Sequence, residues 1–324
     1  MAALAFSLLV AGDGETMAAQ ADDASLPDLA VRLASMTAVT GYEQRMVDSL
    51  LTLLPGAVRD RAGSAVVVLG GGDRRRLVAC PVSEPGFVVG HVRADGWLTL
   101  RRAPGRVSPL VERQIEGQRV TVFGRRGALP GVVAVRSIHL TRGRAAPGEP
   151  SFTLDSAYID IGAASMAEVA AAGVAVLSPV ALAKRAHRYG ADLLAAPVAA
   201  RRTACAALVV AARRVIAEQG MVPRGETVVV AFVVEQELLG RGLATLARAR
   251  GPFAETVLVD GADGIPGTVV RGSDSTLAAG WPRLGAVSRW SLGGRYAATA
   301  VETTSLGGAD TLRAALARWI GGSR

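Results

Sequence analysis

Few residues in this chain have the type and spacing that bond-making chemistry requires. Its three histidines, His91, His139 and His187, lie far apart, and no HExxH or HxD spacing sets any of them on a metal. His91 and His139 read as surface or packing residues, and His187, in KRAHRYG, as a loop residue. The two cysteines, Cys80 and Cys205, show no CxxC spacing, so neither a disulfide framework nor a four-thiolate zinc site is indicated. No GxSxG elbow marks a nucleophilic serine. The glycine runs Gly70-Gly71-Gly72 and Gly293-Gly294 lack the GxGxxG and GxxxxGK[ST] patterns in which backbone N–H groups cradle phosphate, and they read as turns. What remains is a set of acidic and basic side chains, 28 and 36 in number, among which spacing alone singles out no site.

These groups sit in a chain of 324 residues that is 50% hydrophobic, enough to bury the core of one large domain or of a large domain with a smaller insert. The formal charge of +8 invites a phosphate-binding reading. Clustering is what that reading lacks. Every basic residue except Lys184 is Arg, Asn is absent, and the short runs Arg74-Arg75-Arg76, Arg101-Arg102 and Arg125-Arg126 are read as solvated turns, so no nucleic-acid partner is expected. No apolar run is long enough to span a bilayer. Residues 1–25 read as a flexible or signal-like N-terminus: MAALAFSLLVA resembles a signal-peptide core and Ala19-Gln20-Ala21 a cleavage site, but a basic leading segment is missing. A cytoplasmic protein is expected, with a secreted or periplasmic one as the alternative.

The elements that must position the charged groups follow from periodicity. Residues 26–54 carry apolar positions at helical spacing, broken by TAVTGYE, which predicts two helices and a turn. Short β-branched runs at 65–70, 76–80, 86–92, 97–101, 118–123 and 131–138 predict strands, several of them in a compact β unit. After RGRAAPGEP at 142–150 the pattern changes to helices at 165–172, 204–220, 239–250 and 309–320, alternating with apolar strands at 227–234 and 256–260. Strands that are apolar throughout and alternate with amphipathic helices predict a covered, largely parallel sheet, hence an α/β domain with a β insert.

In order and spacing, TAVTGYE (37–43), DRAGS (60–64), GQRVTVFGRRGALPGVVAVRSIHL (117–140), YIDIGAAS (158–165) and LVDGAD (258–263) resemble the tetrahedral (TET), glutamyl-aminopeptidase type of dinuclear metallo-aminopeptidase, metallopeptidase family 42. The resemblance implies an α/β, phosphorylase/hydrolase-like zinc-peptidase fold, a three-layer sandwich with an inserted small β-barrel-like domain. It divides the chain into an aminopeptidase-like α/β domain, 26–86 and 150–324, and an inserted β domain, 87–149. The stretch between Asp260 and RYAATAVE (295–302) is shorter than the resemblance leads one to expect.

The family's chemistry needs two divalent ions, a bridging carboxylate, a His and a further carboxylate on each ion, and a Glu base for the shared water. Carried over motif by motif, most of these positions are changed. The first His falls on Cys80 or, counted from Gly86, on Pro81, and the Asp that would orient it falls on Val82 or Ser83. Ala200 and Arg201 stand where two Asp residues, one of them bridging, belong. Gln236 stands at the general base, and a Gln side chain cannot accept the water proton at neutral pH. Ala298 stands at the last His, so of the five ligand positions only Glu237 and Asp260 keep a ligand.

The resemblance therefore implies a degenerate member, a non-catalytic homologue acting by peptide or partner binding, as a homo-oligomer or beside an active paralogue. The alternative is an active aminopeptidase or other hydrolase with an atypical one-metal or relocated site. Glu237 and Asp260 without metal would be two anions facing one pocket, costly unless a cation replaces the ions. Arg201 or Arg202 could supply it through bidentate hydrogen bonds. The carboxylates could instead be hydrated in an open cleft, or hold a single zinc with the Cys80 thiolate. No cofactor is otherwise expected, zinc or cobalt being the ions of any residual site.

Overall fold

The first helix, α1 (Leu26–Ser35), begins where local chemistry starts it. Ser25 accepts a hydrogen bond from the Asp28 backbone, Pro27 stands in the first turn, and Leu26, Leu29, Ala30, Leu33 and Ala34 form one buried face. The turn TAVTGYE then leads into α2 (Gln44–Leu53), which buries Met46, Val47, Leu50 and Leu53. This computed structural model describes residues 25–103, 112, 114–134, 152–183, 185–218 and 221–322. Residues 1–24, His139 and the expected boundary at 142–150 lie outside them.

Strands β1 (Val58–Arg59), β2 (Ala65–Gly70) and β3 (Arg74–Pro81) open a large mixed sheet. The chain leaves it for six strands: β4 (Phe87–Val92), β5 (Leu98–Arg102), β6 (Arg119–Gly124), β7 (Gly127–Ala134), β8 (Tyr158–Asp160) and β9 (Pro179–Leu182). These close into a barrel in the order β4-β5-β8-β7-β6-β9 around Phe87, Val89, Leu98, Val122, Ile159 and Val180, with Val169 of helix α3 (Met166–Ala171) packed on it. The two closing strands lie past residue 149, where the inserted domain was expected to end. At three and four residues they are too short to show a period.

The sheet resumes with β10 (His187–Tyr189), β11 (Leu193–Ala195), helix α4 (Ala199–Ala217), β12 (Glu226–Val233), helix α5 (Arg241–Arg250), β13 (Glu255–Asp263), β14 (Val269–Ser273), helix α6 (Ser275–Gly280), β15 (Ala286–Arg295), β16 (Thr303–Ser305) and helix α7 (Leu306–Ile320). Its order is β1-β2-β12-β3-β13-β15-β16-β11-β10, with β14 on β15. The central pairs β12-β3, β3-β13 and β13-β15 are parallel. Alternate residues of the central strands feed two cores: Val78, Val228, Val230 and Phe232 pack beneath α1, α2, α4 and α7, while Leu77, Val229, Ala231 and Val233 pack on α5. The result is the three-layer α/β sandwich with an inserted barrel. Among the described residues no helix is long and apolar enough to cross a membrane.

Helix α4 is buried almost all round, and its small side chains allow close approach. A Cβ at Gly261 of β13 would lie 2.7 Å from the Arg201 nitrogen and 2.9 Å from the Ala200 Cβ, so the first turn of α4 rests directly on the sheet. One sequence reading is corrected at the other end of the sheet. Arg74-Arg75-Arg76 is no solvated turn but the start of β3, and Arg76 is buried, donating to the Trp319 and Ile320 carbonyls at the end of α7. Arg101-Arg102 likewise ends β5, whereas Arg125-Arg126 is the turn between β6 and β7.

Candidate functional site

In open α/β sheets, ligands gather at the carboxyl ends of the parallel strands, and here β3, β12 and β13 deliver Ser83, Glu237 and Asp260 to one place. Arg201, in the first turn of α4, lies between them. Its Nε donates to Asp260 Oδ1 at 2.7 Å and its Nη2 to Oδ2 at 3.4 Å. Its Nη1 donates to Glu237 Oε1 at 3.2 Å and to the Ser83 carbonyl at 2.9 Å. The three side chains are 16–18% exposed. Burial alone would lower the Arg201 pKa, but Asp260 and Glu237 outweigh it and hold the guanidinium above its ordinary value.

Arg202 turns to a different wall. It is 1% exposed, donates from Nη2 to Glu84 Oε2 at 3.0 Å and from Nη1 to the Val82 carbonyl, and leaves its Nε without a hydrogen-bond partner. Burial lowers its pKa and the Glu84 carboxylate opposes that. Glu84 Oε1 in turn accepts from the Ala38 backbone, which ties TAVTGYE to the floor of the cleft.

Ser83, one of the two residues standing at the changed orienting position, and two carboxyls to which sequence reasoning gave no role, Glu43 and Glu302, complete the network. Ser83 Oγ donates to Glu43 Oε1 at 2.7 Å and accepts from the Gln236 backbone at 3.0 Å, while the same Glu43 oxygen accepts from the Glu235 backbone at 2.8 Å. Burial raises the Glu43 pKa, although these hydrogen bonds pull it back. Glu302 accepts from the Ala200 backbone at 2.9 Å, is also stabilised by the Ala298 backbone, and has its pKa raised by burial. One carboxyl thus joins the two alanines at the changed ligand positions. Glu302 and Glu43 stand in the quoted motifs RYAATAVE and TAVTGYE, but only their burial distinguishes them from surface carboxylates.

Cys80 requires a correction. Cys80 and Cys205 are joined by a disulfide, with an S–S distance of 2.01 Å, and both are buried beneath the cleft. The parallel sheet lays β3 against α4 across 125 residues, a proximity that no local spacing could announce. With its sulfur in that bond, Cys80 supplies no thiolate to Glu237 and Asp260, so the single-zinc arrangement drawn from the sequence is not formed. Pro81 ends β3, paired with Val233. Ala298 lines a cavity of ≈ 50 Å³ with Phe87, Gln114, Leu182 and Val198. His91 and His187 lie on exposed strand positions of the barrel and of the sheet edge.

The backbone around this network is unusual. Val198 (φ 51°), Glu235 (55°), Leu239 (55°), Tyr296 (60°) and Ala298 (58°) all hold left-handed conformations, five of the six such non-glycine residues among those described. Each costs on the order of 1–3 kcal/mol, so the surrounding packing must impose them. They occur in the segments that carry Arg201, Glu237 and Glu302.

A family model described as M42 glutamyl aminopeptidase matches residues 63–262. Among curated proteins the chain is 27% identical to SgcX of Escherichia coli over 192 residues, 57% of this chain and 50% of that protein. It is 26% identical to the lysyl aminopeptidase of Pyrococcus furiosus over 192 residues, 58% of this chain and 54% of that one. The match thus spans about half the length of these relatives. Among solved structures, the TET1 peptidase of Pyrococcus horikoshii, which assembles into a tetrahedron or an octahedral shell, superposes with a TM-score of 0.78 at 18% identity, covering 91% of this chain and 99% of that one. A TET aminopeptidase from Thaumarchaeota archaeon SCGC AB-539-E09 gives 0.74 at 19% identity, covering 91% and 96%. At these identities the structural likeness is one of fold.

Proposed function

This chain belongs to the M42 glutamyl aminopeptidase family, and from that premise we propose that it is a member in which the Arg201 guanidinium stands where the metal ions would, so that its cleft binds peptide or protein segments without hydrolysing them. The observation that carries this reading is the set of hydrogen bonds from Arg201 to both Asp260 and Glu237. A guanidinium satisfies two carboxylates with fixed, planar geometry, and its single positive charge lies between them. The donor set points the same way. Two carboxylates already bonded to Arg201, with no imidazole beside them among the described residues, do not fit a dinuclear zinc or cobalt centre.

Two further parts of the reading rest on the fold. We assign the barrel, 87–182, to an inserted domain and the rest of the described chain to the aminopeptidase-like domain. We also assign the chain to an oligomer, either of itself or with an active paralogue, since the TET1 peptidase that shares its fold assembles into shells. The deciding experiment is elemental analysis of the purified protein after incubation with zinc, cobalt or manganese and removal of excess ion, alongside hydrolysis of leucyl- and glutamyl-anilides. Near-zero metal and no turnover are expected. One or two tightly bound ions with turnover would sink the proposal and favour an active hydrolase with a relocated site.

A further inference from the structure

At the opposite end of the same parallel strands the chain forms a second, separate concavity. Arg74, Glu226 and Glu255 are the first residues of β3, β12 and β13, and with Arg76, Arg271 and Arg318 they line a pocket of ≈ 240 Å³ whose walls include the Trp290 and Trp319 indoles. Four guanidinium groups thus face two carboxylates.

The charges do not cancel evenly. Arg74 donates to Glu226 at 2.6 Å and to Glu255 at 3.3 Å. Arg76 pairs with Glu226 at 2.6 Å, lies 4.6 Å from the Trp319 ring centroid, and donates to the Trp319 and Ile320 carbonyls. These last bonds matter electrostatically, because the C-terminus of α7 would otherwise present unpaired carbonyls and repel an anion. Two cations are therefore spent on the two carboxylates and the helix end. Arg271 and Arg318 are left, both exposed, and among the described residues neither forms an ion pair with a carboxylate. Arg271 lies 4.2 Å over the Trp290 ring, a contact that orients its planar group before any ligand arrives.

We propose that this pocket is a binding site for a small oxyanion, a phosphate or carboxylate group, held by Arg271 and Arg318 beside the Trp290 and Trp319 indoles. Guanidinium groups suit such ligands because their paired N–H donors match two anionic oxygens. The volume limits the ligand: at ≈ 240 Å³ the pocket falls below the roughly 300–1,000 Å³ of sites that enclose a drug-sized molecule, so it takes an anionic group or a small acid. The site is independent of the cleft reading, and either could fail without the other.

The test is a titration of the full-length protein with inorganic phosphate and, separately, with malonate, at ionic strength held constant with sodium chloride, read by tryptophan fluorescence and thermal midpoint. A saturable response beyond that of chloride is expected, and the tighter of the two ligands identifies whether the natural group is a phosphate or a carboxylate. Arg271→Ala with Arg318→Ala should weaken binding on the order of a hundredfold, about tenfold for each charged hydrogen-bonding group. The paired Arg→Lys variant should fall between, since it keeps the charge and loses the bidentate geometry. Arg93→Ala, on the barrel, should bind like the parent. No response beyond chloride, or one undiminished in the double alanine variant with its circular dichroism unchanged, would overturn the site.

Discussion

At the scale of single residues, Arg201 governs the charge balance of the cleft. Removing one partner from a buried ion pair leaves the other charge desolvated and unpaired, at a cost of about 3–5 kcal/mol. Arg201→Ala, which strands both Asp260 and Glu237, should therefore lower stability by about 3 kcal/mol, measured by urea denaturation, while Arg201→Lys recovers part of the loss. Glu302 gives a pH signature. Its folded pKa is raised above the ordinary 4.5 by burial, against the pull of the Ala200 N–H and Arg201 and with Asp260 adding to the rise. The folded state then binds the proton more tightly than the unfolded chain, and the associated stability, full below 4.5, is lost as pH rises through the folded pKa. Glu302→Gln, which cannot ionise, should flatten that decline, so unfolding free energies of parent and variant compared from pH 4 to 8 should move in the variant's favour as pH rises. A constant difference would show that Glu302 does not titrate in this way. Glu237, Asp260 and the two arginines were legible because each stands in a recognisable motif. Which arginine meets the carboxylates was not, because a helical step of about 100° sends Arg201 and Arg202 to different walls.

At the scale of elements, the Cys80–Cys205 bond fastens β3 to α4, the two elements that frame the floor of the cleft. In the chain-entropy account, closing a loop of this length restricts the unfolded chain by about 5 kcal/mol. The double variant Cys80→Ala/Cys205→Ala should lose about 3–5 kcal/mol of stability, and the parent, denatured without reductant, should show no free thiols in a colorimetric titration. Such bonds persist in oxidising compartments, so a thiol-free result favours the secreted or periplasmic alternative over the cytoplasmic expectation. Two titratable thiols would remove that argument. The bond was invisible in the sequence because it joins residues far apart along the chain, whereas β8, β9, β11 and β16 were invisible because strands of three or four residues are too short to show a period. The long apolar strands β12 and β13 and the amphipathic helices carried their own period and were readable, although α4 begins at Ala199, five residues before the expected start.

At the scale of the whole molecule, the alternation of helices and apolar strands was enough to expect a covered, largely parallel sheet with a β insert, because layer architecture depends on pattern and not on any single contact. Assembly depends instead on what the finished surface leaves exposed. Between the turn before α2 and the barrel lies a groove of ≈ 510 Å³ lined by Val39, Tyr42, Phe123, Val176 and Leu177. Val176 is 52% exposed and Leu177 60%, and the Tyr42 hydroxyl donates to the Leu177 carbonyl at 2.9 Å, holding that residue outward at φ 69°. An apolar side chain fixed outward in a left-handed conformation gains nothing in an isolated chain, whereas burial against a second copy would contribute about 1.5–3 kcal/mol per residue. The purified chain should therefore scatter light as an oligomer well above its 33.3 kDa monomer mass. Leu177→Glu, which places a charge on that rim without touching the cleft, should shift the distribution toward monomer and leave the fold intact. A monomeric parent would rule this groove out as a contact between copies, and an unshifted Leu177→Glu oligomer would place the contact on another face.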